Sequence, residues 1–194
     1  MPVVEFYFDF RSPYSYLAHS QLESLKATIQ YRPIDVLAVM EQVGNTPTTL
    51  TCRAKGRYAR ADLQRWAKQY AIAVRSHPDI AKINNQRLLQ AVLVANETGQ
   101  TQAVVSAIFN AYWSSVAPLA TLADLAAVLN APGIDATEII ALVDAPDHKM
   151  ELIRASQFAA EIGVFGAPTF IAGGEMFFGN DRLDFLRSHL EQLS

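Results

Sequence analysis

The chain has 194 residues, 51% of them hydrophobic and 18% charged, with a formal net charge of −3. That length suits one large domain or one domain carrying an insertion, and the apolar share can bury a sizeable core. The weakly acidic balance argues against nucleic acid as a partner, and no apolar run approaches the roughly 18 residues of a transmembrane helix, so no membrane partner is expected.

In chain order, "VVEFYFDF" (3–10) is rich in β-branched and aromatic residues and reads as a buried strand. The preceding residues lack a basic stretch and a small-residue cleavage site, and Asp9 interrupts the apolar run. A strand is therefore expected there rather than a signal peptide, and with it a cytoplasmic protein. Ser12-Pro13 then opens a helix, serine as cap and proline at the first helical position. Ala18, Leu22, Leu25 and Ile29 follow at helical spacing, which predicts a helix over 13–29. "QYRPIDV" (30–36) predicts the next strand and completes a βαβ opening.

Residues 38–162 are helical in pattern. Ala59, Leu63, Trp66 and Tyr70 line one face, "NNQRLLQAVLVANETG" stops at Gly99, and four further helical stretches run to a stop at Gly163. Strands then return: "PTFIA" and "EMFF" flank Gly173-Gly174, a two-residue hairpin signal. "NDRLDFLRSHLEQL" is a last amphipathic helix. The order predicts an α/β, thioredoxin-like fold with an all-helical domain inserted between its βαβ and ββα halves. Residues 1–37 and 163–194 form the thioredoxin-like domain and 38–162 the insertion.

Cys52 is the only cysteine, so neither an intramolecular disulfide nor a thiolate metal cluster can form. His19, His77, His148 and His189 are scattered, with no H-E-x-x-H pattern, and no metal site is expected. G-x-S-x-G, the signature of many serine hydrolases, is absent. What stands out is Ser12-Pro13-Tyr14-Ser15, which has the spacing of the redox motif C-P-x-C with hydroxyls in place of both sulfurs. Disulfide exchange is excluded there. A helix cap alone would account for a serine before proline. "GVFGAPTF" (163–170) adds a second feature: Pro168 starts a strand where a thioredoxin fold carries its cis-proline loop, facing the first helix. Taken singly, it reads as an ordinary strand-edge proline.

"FYFDFRSPYSYLA", "GVFGAPTF" and "FFGNDRL", in that order, resemble the 2-hydroxychromene-2-carboxylate isomerases. These are DsbA-like proteins related to the kappa-class glutathione transferases. The likeness extends to "GN" (44–45), "KGRY" (55–58) and "DLQRWA" (62–67). It implies glutathione as cofactor, with Ser12 at its sulfur as a catalytic donor to the thiolate. It further implies that the backbone of Ala167, beside Pro168, pairs with the cysteinyl backbone. Phe178, Gly179, Asn180 and Asp181 would hold a carboxylate and the γ-glutamyl ammonium, with Asn45 and Lys55 nearby. On the substrate side the family carries a lysine before its "GN" pair, where this chain has Met40. An Asn-Arg pair of the family becomes Thr49-Leu50, and a tyrosine becomes Asn84. The exact substrate therefore stays open. Cys52 is expected to be a half-buried small hydrophobe.

The function implied is a glutathione-dependent cis/trans isomerase of an aromatic 2-oxo acid, acting by reversible thiolate addition, as a homodimer in aromatic catabolism. A kappa-like glutathione transferase or peroxidase, or a non-catalytic thioredoxin-fold binding module, are the alternatives.

Overall fold

The computed structural model describes residues 1–193, with the side chain of Leu50 outside the described set. The order is β1 (Val3–Phe8), α1 (Pro13–His19), β2 (Thr28–Pro33), α2 (Val36–Gln42), α3 (Thr48–Thr51), α4 (Arg53–Gln69) and α5 (Asn85–Thr98). Then come α6 (Thr101–Trp113), α7 (Leu122–Asn130), α8 (Thr137–Leu142), α9 (Pro146–Glu161), β3 (Thr169–Ala172), β4 (Glu175–Phe178) and α10 (Leu183–Gln192). Among the described residues, no helix is long and apolar enough to cross a membrane.

The four strands make one mixed sheet in the order β2-β1-β3-β4. β1 and β2 run parallel from Val3 against Thr28 to Phe8 against Pro33, while β1–β3 and β3–β4 are antiparallel. The β3–β4 turn is Gly173-Gly174, both at positive φ (56° and 85°), the backbone a two-residue hairpin turn of the primed type needs. Alternation along β1 sends Val4, Phe6 and Phe8 into a large core with α5, α6 and α10, whereas Tyr7 on the other face packs with Ile34, Val39, Ala159 and Val164. A sheet covered on both sides explains why "VVEFYF" is almost continuously apolar. Phe6 stacks on Phe170 of β3 at 5.2 Å and Phe10 meets Phe109 of α6 at 4.7 Å. The indole N–H of Trp113 donates to the Phe10 carbonyl at 2.8 Å, anchoring the strand's end beside the SPYS segment.

Three expectations are corrected. The helix predicted over 13–29 is the seven-residue α1 followed by a 3-10 turn, Leu22–Leu25. Lys26 then takes a left-handed conformation (φ 51°) and Ile29 belongs to β2, where it still packs on the same core and so preserves the helical spacing. The strand predicted over 30–36 lies at Thr28–Pro33, because Asp35 leaves the sheet to cap α2 through the N–H groups of Leu37 and Ala38. Cys52 is exposed rather than half-buried, standing in extended conformation between α3 and α4.

Candidate active site

Ser12 sits where β1 gives way to α1. Its hydroxyl oxygen accepts from the Ser15 N–H at 3.1 Å, which is the expected cap, and its proton is donated to the Ala167 carbonyl at 2.9 Å. The Ala167–Pro168 peptide is cis. One side chain thus ties the start of α1 to the loop before β3. Pro13 contributes no N–H to this helix end. The Ser15 hydroxyl is fully buried and lacks a hydrogen-bond partner.

The loop is held from both sides. Asn45 donates its amide to the Phe165 carbonyl at 2.8 Å, and the Gly179 N–H donates to the Pro168 carbonyl at 2.9 Å. Thr169 Oγ1 donates to the Gly166 carbonyl at 2.8 Å. Phe165 and Phe178 pair with ring centroids 4.5 Å apart, above Gly166. A Cβ at Gly166 would lie 2.8 Å from the Phe178 ring, so a side chain here would require that ring to shift. Asn180 and Asp181 follow in a 3-10 turn that packs against α1. Asn180 is buried with its amide nitrogen unpartnered, whereas Asp181 is half-exposed and pairs with Arg182 at 2.8 Å. The structure therefore brings Ser12, Asn45, Ala167, Pro168, Phe178, Gly179, Asn180 and Asp181 around one proline loop.

Lys55 is exposed on α4. It lies one turn before Ala59, whose carbonyl accepts from the Tyr14 hydroxyl at 3.5 Å, and on the stripe of Asp62, which accepts the same hydroxyl at 3.2 Å. Burial, then the Asp62 charge, push the Tyr14 phenol up to about 12, which keeps it a neutral donor. Thr49 is exposed on α3, with its carbonyl pressed against Gly56 of α4. Asn84 spends its side-chain oxygen capping α5 at the Arg87 N–H, 3.2 Å away. The side chain of Leu50 lies outside the described residues.

Sequence reasoning missed the network beneath the SPYS segment. Asp9 is fully buried. Its carboxylate accepts from the Arg11 N–H (2.8 Å), the Arg11 guanidinium (2.6 Å at the closest), the Val36 N–H (3.0 Å) and the Asn85 amide (3.0 Å). Arg11 also pairs with Asp35, to which Gln86 donates at 3.2 Å. Burial pushes the Asp35 carboxyl up, but the hydrogen bond and charge of Arg11, helped by Gln86 and the Ala38 N–H, hold it below its ordinary value. The Asp35 N–H in turn donates to Ser156 Oγ of α9 at 2.9 Å. The end of β1 and the starts of α2 and α5 thus converge with the body of α9 on one ion-pair network, and Arg11 stands next to Ser12. Its sequence signal was the acid inside an apolar strand followed by an arginine two residues on.

A serine-bearing helix start facing a cis-proline loop beside a four-stranded mixed sheet defines a thioredoxin-like domain whose SPYS segment holds no sulfur. The family model of the DSBA-like thioredoxin domain matches residues 3–191. Within that class, the chain belongs to the 2-hydroxychromene-2-carboxylate isomerase family. It is 34% identical over 192 residues to the 2-hydroxychromene-2-carboxylate isomerase of Sphingobium xenophagum, covering 96% of this chain and 97% of the relative. It is 35% identical over 198 residues to that of Pseudomonas putida, covering 98% and 95%. A solved structure of such an isomerase superposes with a TM-score of 0.87 at 34% identity, over 98% of this chain and 95% of that one. Glutathione S-transferase kappa 1 of Caenorhabditis elegans is more distant, at 27% identity over 99% of this chain and 92% of its own.

Proposed function

We propose that the chain is a glutathione-dependent isomerase of 2-hydroxychromene-2-carboxylate or a related aromatic 2-oxo acid. The observation that carries this reading is Ser12, a hydroxyl set between the start of α1 and Ala167 in a chain about one-third identical to named isomerases over nearly its full length. The residues present fit glutathione. Asn180 offers a buried amide N–H₂ without a partner beside the Gly179 turn, and Asp181 offers a carboxylate to an ammonium group. Ala167 offers a carbonyl with a second lone pair beyond the one that Ser12 uses. Phe178 and Phe165 form an apolar wall, with Asn45 bonded at its rim, and Lys55 stands exposed on α4. Residues 1–37 and 163–194 would carry most of this cofactor side, and 38–162 would add Asn45 and Lys55 to it and supply the substrate wall, where Thr49, Leu50 and Asn84 lie.

Bound glutathione supplies a thiol whose anion can add to a conjugated carbon and leave it again, so that a double bond rotates while it is single. The protein's task is to favour that anion. Ser12 has one proton, now on the Ala167 carbonyl. Turning it to a neighbouring anion gives up a neutral hydrogen bond worth about 0.5–1.5 kcal/mol for a charged one worth about 1.5–3. α1 is short, but its dipole acts through the first turn and adds about 0.3–1 kcal/mol at an exposed site. Together these lower a thiol pKa by about one to two units, at about 1.4 kcal/mol per unit. Ser12 keeps its proton throughout, so no partnering base is required.

The test is turnover of 2-hydroxychromene-2-carboxylate with and without glutathione, with free thiol measured alongside. Conversion that requires glutathione and leaves its concentration constant supports the isomerase. The kappa-class likeness favours one rival, a transferase or peroxidase, which would consume thiol in step with substrate.

A further inference from the structure

We propose that Glu97, His148 and Glu151 form a binding site for a divalent first-row cation of zinc-like character, bridging α5 and α9. The three side chains offer ligand atoms that all lie within 4.8 Å of one another. His148 carries the argument. It is more than nine-tenths buried, and its Nδ1 faces the Leu142 carbonyl at 3.1 Å. A carbonyl can only accept, so Nδ1 carries a proton there, and in the neutral ring Nε2 presents its lone pair. This backbone bond behind an imidazole is the arrangement that fixes a metal-binding histidine in tautomer and direction.

Nε2 points not at a donor but at a carboxylate, Glu97 Oε1, 3.5 Å away. The two make an ion pair when the ring is protonated, and Glu151, one turn along α9, brings a second carboxylate. Among the described residues, no lysine or arginine forms an ion pair with Glu97 or Glu151. A metal cation among the three would take the place of that ring proton. Bonds of about 2.1 Å to a tetrahedral ion place ligand atoms about 3.4 Å apart. The Nε2–Glu97 separation meets that as it stands, and the exposed Glu151 closes the remainder by a change of rotamer. One imidazole with two carboxylates suits zinc and its neighbours better than calcium or magnesium, and water would complete the shell. Spacing along the chain gave no hint of the site, because Glu97 and His148 stand on different helices.

The position predicts a brace rather than a catalytic centre. Glu97 lies more than three turns beyond Asn85 on α5, about 18 Å away at about 1.5 Å per residue. The experiment is calorimetric titration of the full chain with Zn²⁺ in a Cys52→Ser background, which removes the one exposed thiol, with thermal melts alongside. Because His148→Ala could fail to fold, the test variants are Glu97→Gln and Glu151→Gln, whose side chains are exposed and isosteric with the originals. The expected result is one ion per chain. Each single variant should bind at least tenfold more weakly. At about 100 times the dissociation constant, the melting temperature should rise by about 5–10 °C, and this rise should be lost in the double variant. No stoichiometric binding, or binding and stabilisation unchanged in the double variant, would overturn the site.

Discussion

The Ser12 hydroxyl donates to the carbonyl of Ala167, 155 positions away in sequence, while accepting from the Ser15 N–H. Capping and loop-bridging are therefore done by one oxygen, and a helix cap and a candidate catalytic group are the same atom in two protonic roles. A third role, donation to an anion, competes only with the Ala167 bond and leaves the cap intact.

Ser12→Ala should cost about 1 kcal/mol for the cap and about 0.5–1.5 kcal/mol for the bond to Ala167, measured by urea unfolding. If the hydroxyl also serves the thiolate, turnover at neutral pH should fall about 5- to 10-fold, corresponding to about 1–1.4 kcal/mol, the dipole's share being retained. Raising the pH should restore part of that rate, because hydroxide then supplies the anion. Ser15→Ala removes a buried hydroxyl that has no partner, so its stability and turnover should stay near wild type. An unshifted thiol pKa in the glutathione complex of Ser12→Ala, read by ultraviolet thiolate absorbance, would reduce Ser12 to a structural residue.

Arg11→Met should be far more destabilising than a substitution at a half-exposed arginine usually is. It strips the guanidinium from the fully buried Asp9 and from Asp35 together. Removing one partner of a buried pair costs about 3–5 kcal/mol. The double variant Arg11→Met with Asp9→Asn should lose less than the sum of the two singles, since the stranded charge is gone. Strict additivity in urea unfolding would mean that the pair is not coupled.

Gly166→Ala tests the aromatic wall. The added Cβ must displace the Phe178 ring, 2.8 Å from its ideal position. Phe178 is 42% exposed and its ring can swing aside, so the stability cost should stay under about 1 kcal/mol. Because Phe178 borders the proposed cofactor site, glutathione should also stabilise the variant less than it does wild type in thermal melts. Equal stabilisation of both would place the cofactor away from this wall.

The two ends of the fold were legible because their signals are local. The aromatic strand, Ser12-Pro13 and the Gly173-Gly174 hairpin each show within ten residues. The helix over 13–29 was overextended because Ile29 faces the same core as α1 from a different element, so the periodicity survived a break that only the left-handed Lys26 reveals. The site was legible in halves. "SPYS" and "GAPT" point to each other only if the fold is assumed, and the 2.9 Å bond from Ser12 to Ala167 joins them. The Asp9 network was invisible beyond its first two members, because Asn85 is 76 positions from Asp9 and carries no motif.

His19 gives the protein a stability slope in mild acid. The ring stacks on Phe109 at 5.2 Å, its Nε2 meets Ser106 Oγ at 3.0 Å, and its Nδ1 is buried without a partner. Burial lowers its pKa from 6.5 to about 4, since a second ring proton would add a charge and a donor with nowhere to go. Between those values the unfolded chain holds more protons than the folded one, so stability falls as pH falls. The contribution is intact above about pH 7.5, a unit over the unfolded value, and declines by up to about 1.4 kcal/mol per unit toward pH 4. Asp35 does not confuse the reading. Its pKa is depressed below 3.8, so what it contributes is kept above that value and lost only at lower pH. Urea unfolding at pH 6.5 and 5.0 should show a loss of about 1.6 kcal/mol in wild type. In His19→Gln, which can still reach Ser106 but cannot take up a proton, the loss should shrink to a small residue. An equal loss in both proteins would assign the acid sensitivity to another group.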